Sequence, residues 1–349
     1  MFVQMLYFHP ETVAMPSTLH TPGAHVLVIA TGGTIAGIAP DATDNLGYRA
    51  GALGVQALVD AVPALGTGAL PPLRTLQLAQ LDSKDMDHAL WQALVATLAA
   101  ELVRDDVIGI VVTHGTDTLE ETAFFLQRVL APAKPVVLTA AMRPATSLQA
   151  DGPQNLLDAV TVAATAALTG ARGVLLAFAG QVFAGDEIRK CDAYRIDAFD
   201  AAPGGPLALV QEGVVTPLRP WPTAAAVGPA LGATLCERAL DQWPRVAWIT
   251  SHAGFDAALV DAAVAAGFDG LVLAGTGNGS LHVALQAAGK RAQQAGVALR
   301  LSTRCASGRV VGGAASAAAG VPVSATRSAA QARVSLLLEL LASPARARG

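Results

Sequence analysis

Three segments place hydroxyl, amide and carboxylate groups beside glycine or proline, each directly after an apolar run. The first is Thr31-Gly-Gly-Thr-Ile-Ala-Gly37, following Val26 to Ala30. Two adjacent glycines at the C-terminal end of a strand let the backbone approach a ligand and leave amide N–H groups exposed, at the edge where open α/β sheets bind small molecules. Thr34 would project into that crevice; the competing reading is an ordinary turn in which both threonines bond only locally. The second is Thr113-His-Gly-Thr-Asp-Thr118, leading into Leu119-Glu-Glu-Thr-Ala. Here Asp117 could merely cap a helix whose dipole Glu120 and Glu121 complement, which explains the acids but not the density of hydroxyls. The third, Ala140-Ala-Met-Arg-Pro144, continues to Ala150-Asp-Gly-Pro-Gln-Asn155.

Positioning these loops on one edge requires a parallel sheet. From His25 onward, short aliphatic runs alternate with longer Ala/Leu-rich amphipathic stretches, the βαβ pattern of an α/β protein. Strands are expected over Val26–Ala30, Thr75–Leu78, Val107–Thr113, Pro135–Thr139, Gly173–Ala179, Val246–Thr250, Gly270–Ala274 and Leu299–Thr303. Helices are expected over Leu53–Ala61, Asp87–Arg104, Thr118–Leu130, Gln154–Leu168, Ala257–Ala266, Leu281–Ala295 and Ala329–Leu341. Six prolines from Pro206 to Pro244, with no stretch long enough for a strand-helix unit, mark the domain boundary. The reading is two α/β domains with mainly parallel sheets: an N-terminal extension (1–24), a larger domain (25–213), a linker (214–244) and a smaller domain (245–349). Gly312 to Gly320, rich in Ala, Gly and Ser, reads as a loop.

Composition narrows the function classes. In 349 residues, 52% apolar and 14% charged, there is ample material for a core. Lys plus Arg number 23 against 27 Asp plus Glu, so there is no basic field for nucleic acid or an anionic membrane. No apolar run is continuous enough for a membrane span. The apolar patch Phe2 to Phe8 lacks flanking Lys or Arg, which speaks against a secretory signal, and Met15 is a plausible start. Cys191, Cys236 and Cys305 are odd in number and far apart, neither a disulfide framework nor a metal cluster. A cytoplasmic address is favoured, with a periplasmic one left open. There is no G-x-S-x-G elbow, phosphate loop or H-E-x-x-H, and Gly275-Thr-Gly-Asn-Gly279 lacks the full dinucleotide fingerprint.

Taken together, TGGTIAG (31–37), GYRAGALGVQALVDAVP (47–63), DSKDM (82–86), THGTDTLEETAFFL (113–126) and AMRPATSLQADGPQNLLDA (141–159) resemble the bacterial-type L-asparaginase family, an amidohydrolase family acting on linear amides. The ordered motifs cover the chain up to about Phe199. The resemblance implies hydrolysis of L-asparagine to aspartate and ammonia. It makes Thr34 the nucleophile and Tyr48 its partner on a mobile lid. Thr116, Asp117 and Lys190 form a second catalytic group, Lys190 occupying the place of the family's catalytic lysine in Glu187-Ile-Arg-Lys-Cys-Asp-Ala193. Ser83 matches the serine that holds the substrate's α-carboxylate, with Thr116 and Asp117 also lining the substrate site. Asn278 looks like the polar residue a neighbour's C-terminal domain supplies, unless its loop is only a tight connection. No metal or cofactor is implied, and the assembly expected is a homotetramer built as a dimer of dimers.

The chemistry is coherent. A threonine hydroxyl is a weak nucleophile and needs a base; a lysine can serve only when neutral, which burial favours and Asp117 opposes. Whether Lys190 or Tyr48 takes the Thr34 proton stays open at this stage. Attack on a side-chain amide forms an oxyanion suited to backbone N–H donors, ammonia leaves, and water hydrolyses the acyl-threonine ester. Two departures stand out. Lys84 lies where the family often has a neutral residue near the substrate's α-amino group, and would repel that cation unless it turns away or pairs with Asp82 or Asp85. No Asp or Glu occurs from Gly270 to Leu338, so an acid that steadies the lid tyrosine from a neighbour is missing. Glutamine, one methylene longer, is the nearest competing substrate, since a methylene discriminates by only about 1–3 kcal/mol. A non-catalytic amino-acid-binding relative or an amidotransferase subunit is the second class.

Overall fold

The computed structural model describes residues 23–222, 232, 235, 238–313 and 320–343. The patch Phe2 to Phe8, Met15, nearly all of the expected extension, Cys236 and most of the Gly312–Gly320 run lie outside the described residues.

The larger unit is built on an eight-stranded sheet. Its strands are β1 (His25–Gly32), β2 (Leu73–Leu81), β3 (Val107–Thr113), β4 (Pro135–Thr139), β5 (Gly173–Phe178), β6 (Gln181–Ala184), β9 (Ala208–Gln211) and β10 (Val214–Pro217), ordered β10-β9-β6-β5-β4-β3-β1-β2. A two-stranded ribbon, β7 (Arg189–Lys190) with β8 (Phe199–Asp200), interrupts that series. Strands β2 to β5 pair in parallel through β1, whereas β6, β9 and β10 add antiparallel edge strands. Helices α1 (Val55–Asp60), α2 (His88–Leu102), α3 (Leu119–Leu130), α4 (Gly152–Ala164) and the single turn α5 (Ala166–Thr169) complete this unit.

Alternation along each central strand divides the core. Leu27, Ile29, Ile110 and Val112 point to the face covered by α2 and α3, with Leu94, Phe125 and Val129, while Val26, Val28, Val111 and Val137 point to the face covered by α4, with Leu156 and Val160. Because both faces are covered, β1, β4 and β5 are buried throughout and read as unbroken aliphatic runs.

The smaller unit is a parallel sheet, β11 (Val246–Thr250), β12 (Gly270–Gly275) and β13 (Ala298–Thr303), with α6 (Ala258–Ala265), α7 (Val283–Gln294) and α8 (Ala329–Ala342). The two-domain α/β architecture therefore holds. The core on the α3 face runs continuously into the smaller unit through Val246, Val272, Leu336 and Leu337. No helix among the described residues is long and apolar enough to cross a membrane.

Three expectations are corrected. Residues 214–217, expected to open the linker, form instead the edge strand β10, where Pro217 forgoes a backbone donor without disrupting an interior ladder. The helix expected over Gln154–Leu168 is interrupted at Thr165, within a run in which Thr161, Thr165 and Thr169 each bond the carbonyl four residues back. Asp117 does not cap α3: Thr118 occupies that position, and the Asp117 carboxylate is committed elsewhere.

Candidate active site

Strand order brings the motif loops together. With β1 between β2 and β3, the chain reverses its direction of winding there, and the loops leaving the C-terminal ends of β1, β2 and β3 meet at that switch point. The contact is close enough to require glycine. A Cβ on Gly33 would lie 2.4 Å from the Gly115 Cα, and Gly33 has φ +83°, a left-handed conformation that side chains resist. The glycines of the first two motifs are thus the surfaces on which their loops touch.

Beyond Gly33, the single 3-10 turn Thr34–Ala36 presents the Thr34 hydroxyl, 2.8 Å from the Tyr48 phenol oxygen. Tyr48 is half-buried and its ring lies over Gly37, where a Cβ would come within 2.8 Å of it. The loop bearing Tyr48 is docked against the third motif. Ala145 N–H donates to Gly37 O (2.9 Å), Leu148 N–H to Ala42 O (3.0 Å), Ala39 N–H to the Thr146 hydroxyl (2.9 Å) and the Ser147 hydroxyl to Asn45 Oδ1 (2.6 Å). Within the loop, backbone N–H groups of Gly47 and Leu46 hold the Asp44 carboxyl below its ordinary range.

The second group lies on the α3 side. Lys190 Nζ donates to the Thr116 hydroxyl at 3.0 Å and to Asp117 Oδ1 at 2.6 Å. Thr116 is buried, whereas the Asp117 side chain is 54% exposed, so that ion pair works partly in solvent. Ser83, buried at the start of the turn after β2, accepts the Asp117 backbone N–H (3.2 Å), while its carbonyl accepts the Thr118 hydroxyl (2.8 Å). Behind Lys190, the Glu120 carboxylate accepts the Lys190 backbone N–H (2.7 Å) and the Ser328 hydroxyl (3.0 Å). Burial pushes the Glu120 carboxyl up, and those two donors oppose the shift. A cavity of about 480 Å³ opens here, lined in part by Asp117, Lys190, Arg189, Asp192 and Trp248. Another of about 430 Å³, bordered by Val107, Pro135 and several alanines, lies at the opposite end of the strands and contains none of the motif residues.

The family described as "Asparaginase, N-terminal" matches residues 25–222, and "Glutaminase/Asparaginase C-terminal domain" matches residues 245–347. The chain belongs to the asparaginase family. It is 35% identical to L-asparaginase 2 of Bacillus subtilis over 82% of this chain and 74% of that one, and 34% identical to L-asparaginase 2 of Escherichia coli over 90% and 88%. Its similarity to the glutaminase-asparaginase of Pseudomonas fluorescens is 32% identity over 88% and 83%. Among solved structures, the probable cytoplasmic L-asparaginase of Campylobacter jejuni superposes with a TM-score of 0.81 at 30% identity, covering 92% of this chain and 96% of that one. Asparaginase-family membership makes the chain an amidohydrolase, with asparagine hydrolysis the family's reaction.

Within this asparaginase-family frame, Thr34 and Tyr48 come together, as do Ser83, Thr116, Asp117 and Lys190, while Asn278 has a different partner. Its amide donates to Val311 O (2.9 Å) and accepts from Val311 N–H (2.7 Å). The Gly275–Gly279 loop closes on itself, since a Cβ on Gly275 would meet the Gly279 carbonyl carbon at 2.4 Å. Inside one chain, the tight-connection reading describes Asn278. Lys84 is engaged by its neighbouring acids: its ammonium pairs with Asp85, lies 3.9 Å from Asp82, and the side chain is 60% exposed. The hydrogen bond with Asp85, followed by weaker attraction from Asp82 and Asp117, raises its pKa. Lys84→Gln is therefore expected to leave KM within about twofold at both low and high salt, checked by steady-state kinetics.

Sequence reading passed over His114, which lies directly under the loop contact. Its ring is wholly buried, with Nδ1 2.7 Å from Gly115 O and Nε2 without a hydrogen-bond partner among the described residues. Facing a carbonyl, Nδ1 must carry the proton, and burial pushes the ring down to about 4, so it is neutral at pH 7. The unfolded chain takes up this proton near pH 6.5 and the folded chain only near 4. Stability from this group is therefore complete above pH 6.5 and falls as pH drops toward 4, by about 3 kcal/mol in all. His114→Gln, which can still donate to Gly115 O, should flatten that part of the Tm profile between pH 7 and 4.5. The buried Asp158 and the half-buried Asp151 and Asp186, raised by desolvation, act in the opposite direction and are common to both proteins.

Proposed function

We propose that the chain is an L-asparaginase acting through an acyl-Thr34 intermediate. The observation that carries this reading is the convergence of two hydroxyl groups in two distinct networks, Thr34 with Tyr48 and Thr116 with Lys190 and Asp117. In the first half-reaction Thr34 Oγ1 bonds to the side-chain amide carbon, Tyr48 is the immediate proton partner of that hydroxyl, and the amide nitrogen leaves as ammonia with the proton from Thr34. In the second, water adds to the ester, its proton returns to Thr34, and aspartate departs. Asp117 and Ser83 provide the anionic and hydroxyl groups that an α-ammonium and an α-carboxylate require. Paired catalytic groups have no role in a binding-only relative, and the acidic charge balance, 23 Lys plus Arg against 27 Asp plus Glu, disfavours an amidotransferase subunit that must engage tRNA.

The test is ammonia release by the purified chain with asparagine and glutamine side by side. Turnover of asparagine is expected to dominate; equal or greater turnover of glutamine would make the chain a glutaminase-asparaginase, and none with either would reject hydrolysis. The same reading carries a cytoplasmic homotetramer, a dimer of dimers in which Asn278 of a neighbour borders the pocket as part of the rigid loop tied to Val311. An active monomer in sedimentation velocity at assay concentration would rule that assembly out.

A further inference from the structure

Lys190 stands on a ribbon too short to fix it. Strand β7 is two residues long and pairs with an equally short β8 through Arg189 with Asp200 and Lys190 with Phe199. Its support comes from the N-terminal end of α8 in the smaller unit. Ser328, 2% exposed, accepts the Gln331 backbone N–H (3.1 Å), which caps α8, and donates its own proton to Glu120 Oε1 (3.0 Å). The other Glu120 oxygen accepts the Lys190 backbone N–H (2.7 Å). Gln331, wholly buried, donates to Ile188 O (2.9 Å), and Arg327 donates to Ala202 O (2.7 Å) and pairs with Glu187 (3.0 Å). Both arms of the ribbon are thus held by one helix terminus. That terminus is itself anchored to α3 by Arg333 on Glu121 (2.6 Å) and by Leu336 and Leu337 in the shared core.

We propose that Ser328 and Glu120 are positioning residues for Lys190, so that the smaller unit of the same chain sets the geometry of the Thr116–Lys190–Asp117 group. This rests on the reading of Lys190 as a catalytic group. A buried carboxylate is costly to retain unless its hydrogen bonds are satisfied, and this one is satisfied by the lysine backbone on one side and the helix cap on the other. The serine hydroxyl has one proton and gives it to Glu120 while accepting from the cap; alanine loses both functions and threonine retains both. Misplacing a catalytic group by about 1 Å costs up to about a hundredfold in rate, and the loss appears mainly in kcat because Lys190 acts on the Thr116 hydroxyl, whereas Ser83 and Asp117 are carried by other elements of the larger unit.

The experiment compares Ser328→Ala, Ser328→Thr and Glu120→Gln with the full-length parent. Per folded protein, Ser328→Ala and Glu120→Gln are expected to lower kcat for asparagine about 10- to 100-fold with KM within about twofold, and Ser328→Thr to stay within about threefold of the parent. In the absence of substrate, hydrogen exchange of the peptide spanning residues 187–191 should accelerate at least about tenfold in the first two variants and not in the third. An unchanged kcat in folded Ser328→Ala overturns the proposal, as does an equal loss in Ser328→Thr or a loss confined to KM. Unchanged exchange overturns the tether itself. Should Glu120→Gln not fold, the two serine variants decide. If the parent hydrolyses neither amide, the hydrolysis reading has failed, and exchange still tests whether Ser328 and Glu120 hold Lys190.

Discussion

Thr34→Ala should reduce kcat for asparagine by at least about 10⁴-fold, while leaving a folded protein. The loss is large because no other hydroxyl occupies the turn after β1: Thr34 alone approaches Tyr48, at 2.8 Å, and Thr116 is engaged by Lys190 on the far side of the Gly33–Gly115 contact. The fold should tolerate the change because the backbone turn is closed by Gly37 N–H on Thr34 O and by Gly51 N–H on Gly33 O, neither of which involves the side chain. Removing one partly buried hydroxyl costs about 1 kcal/mol. Ammonia release and thermal denaturation on the same preparation measure both halves. Rapid-quench mass spectrometry should detect an acyl adduct on the peptide containing Thr34 in the parent and none in the variant. Near-normal turnover by Thr34→Ala would end the assignment of Thr34 as nucleophile.

Lys190→Met is the second large effect, expected to lower kcat about 10²- to 10⁴-fold, the range typical of a positioned proton-transfer group. The ammonium bridges the Thr116 hydroxyl and Asp117, so its loss frees both at once. Stability should change by less than about 1 kcal/mol, because Asp117 is more than half exposed and a solvent-screened pair contributes little. Lys190→Arg is not expected to restore activity: a guanidinium is always charged and planar, whereas this site uses a compact ammonium reaching two oxygens. Thr116→Ala should fall in the same range, and the double variant with Lys190→Met should be little worse than either alone, since groups acting as one unit are strongly non-additive. Additive losses would separate Thr116 from Lys190 and break the proposed group.

Residues close together along the chain revealed most of the architecture. Aliphatic runs such as Val107–Thr113 and Pro135–Thr139 are buried on both faces, and that burial writes itself into sequence as unbroken hydrophobicity. Glycine-rich motifs at strand ends were legible for a related reason, because a position such as Gly33 admits no side chain where two backbones touch. The short antiparallel strands β6 to β10 left no such trace; they are two to four residues long and carry no period to detect. The sequence by itself determined the α/β class, the strand-end loops and, through motif resemblance, the residues of the expected site. Only the tertiary structure decided which groups meet: Asp117 with Lys190 rather than as a helix cap, Lys84 with Asp85, Asn278 with Val311, and Glu120 with Ser328 across 208 positions. Side-chain type limits what a group can bond, but the choice among partners is made by which backbone segments the core packs side by side, and that is non-local.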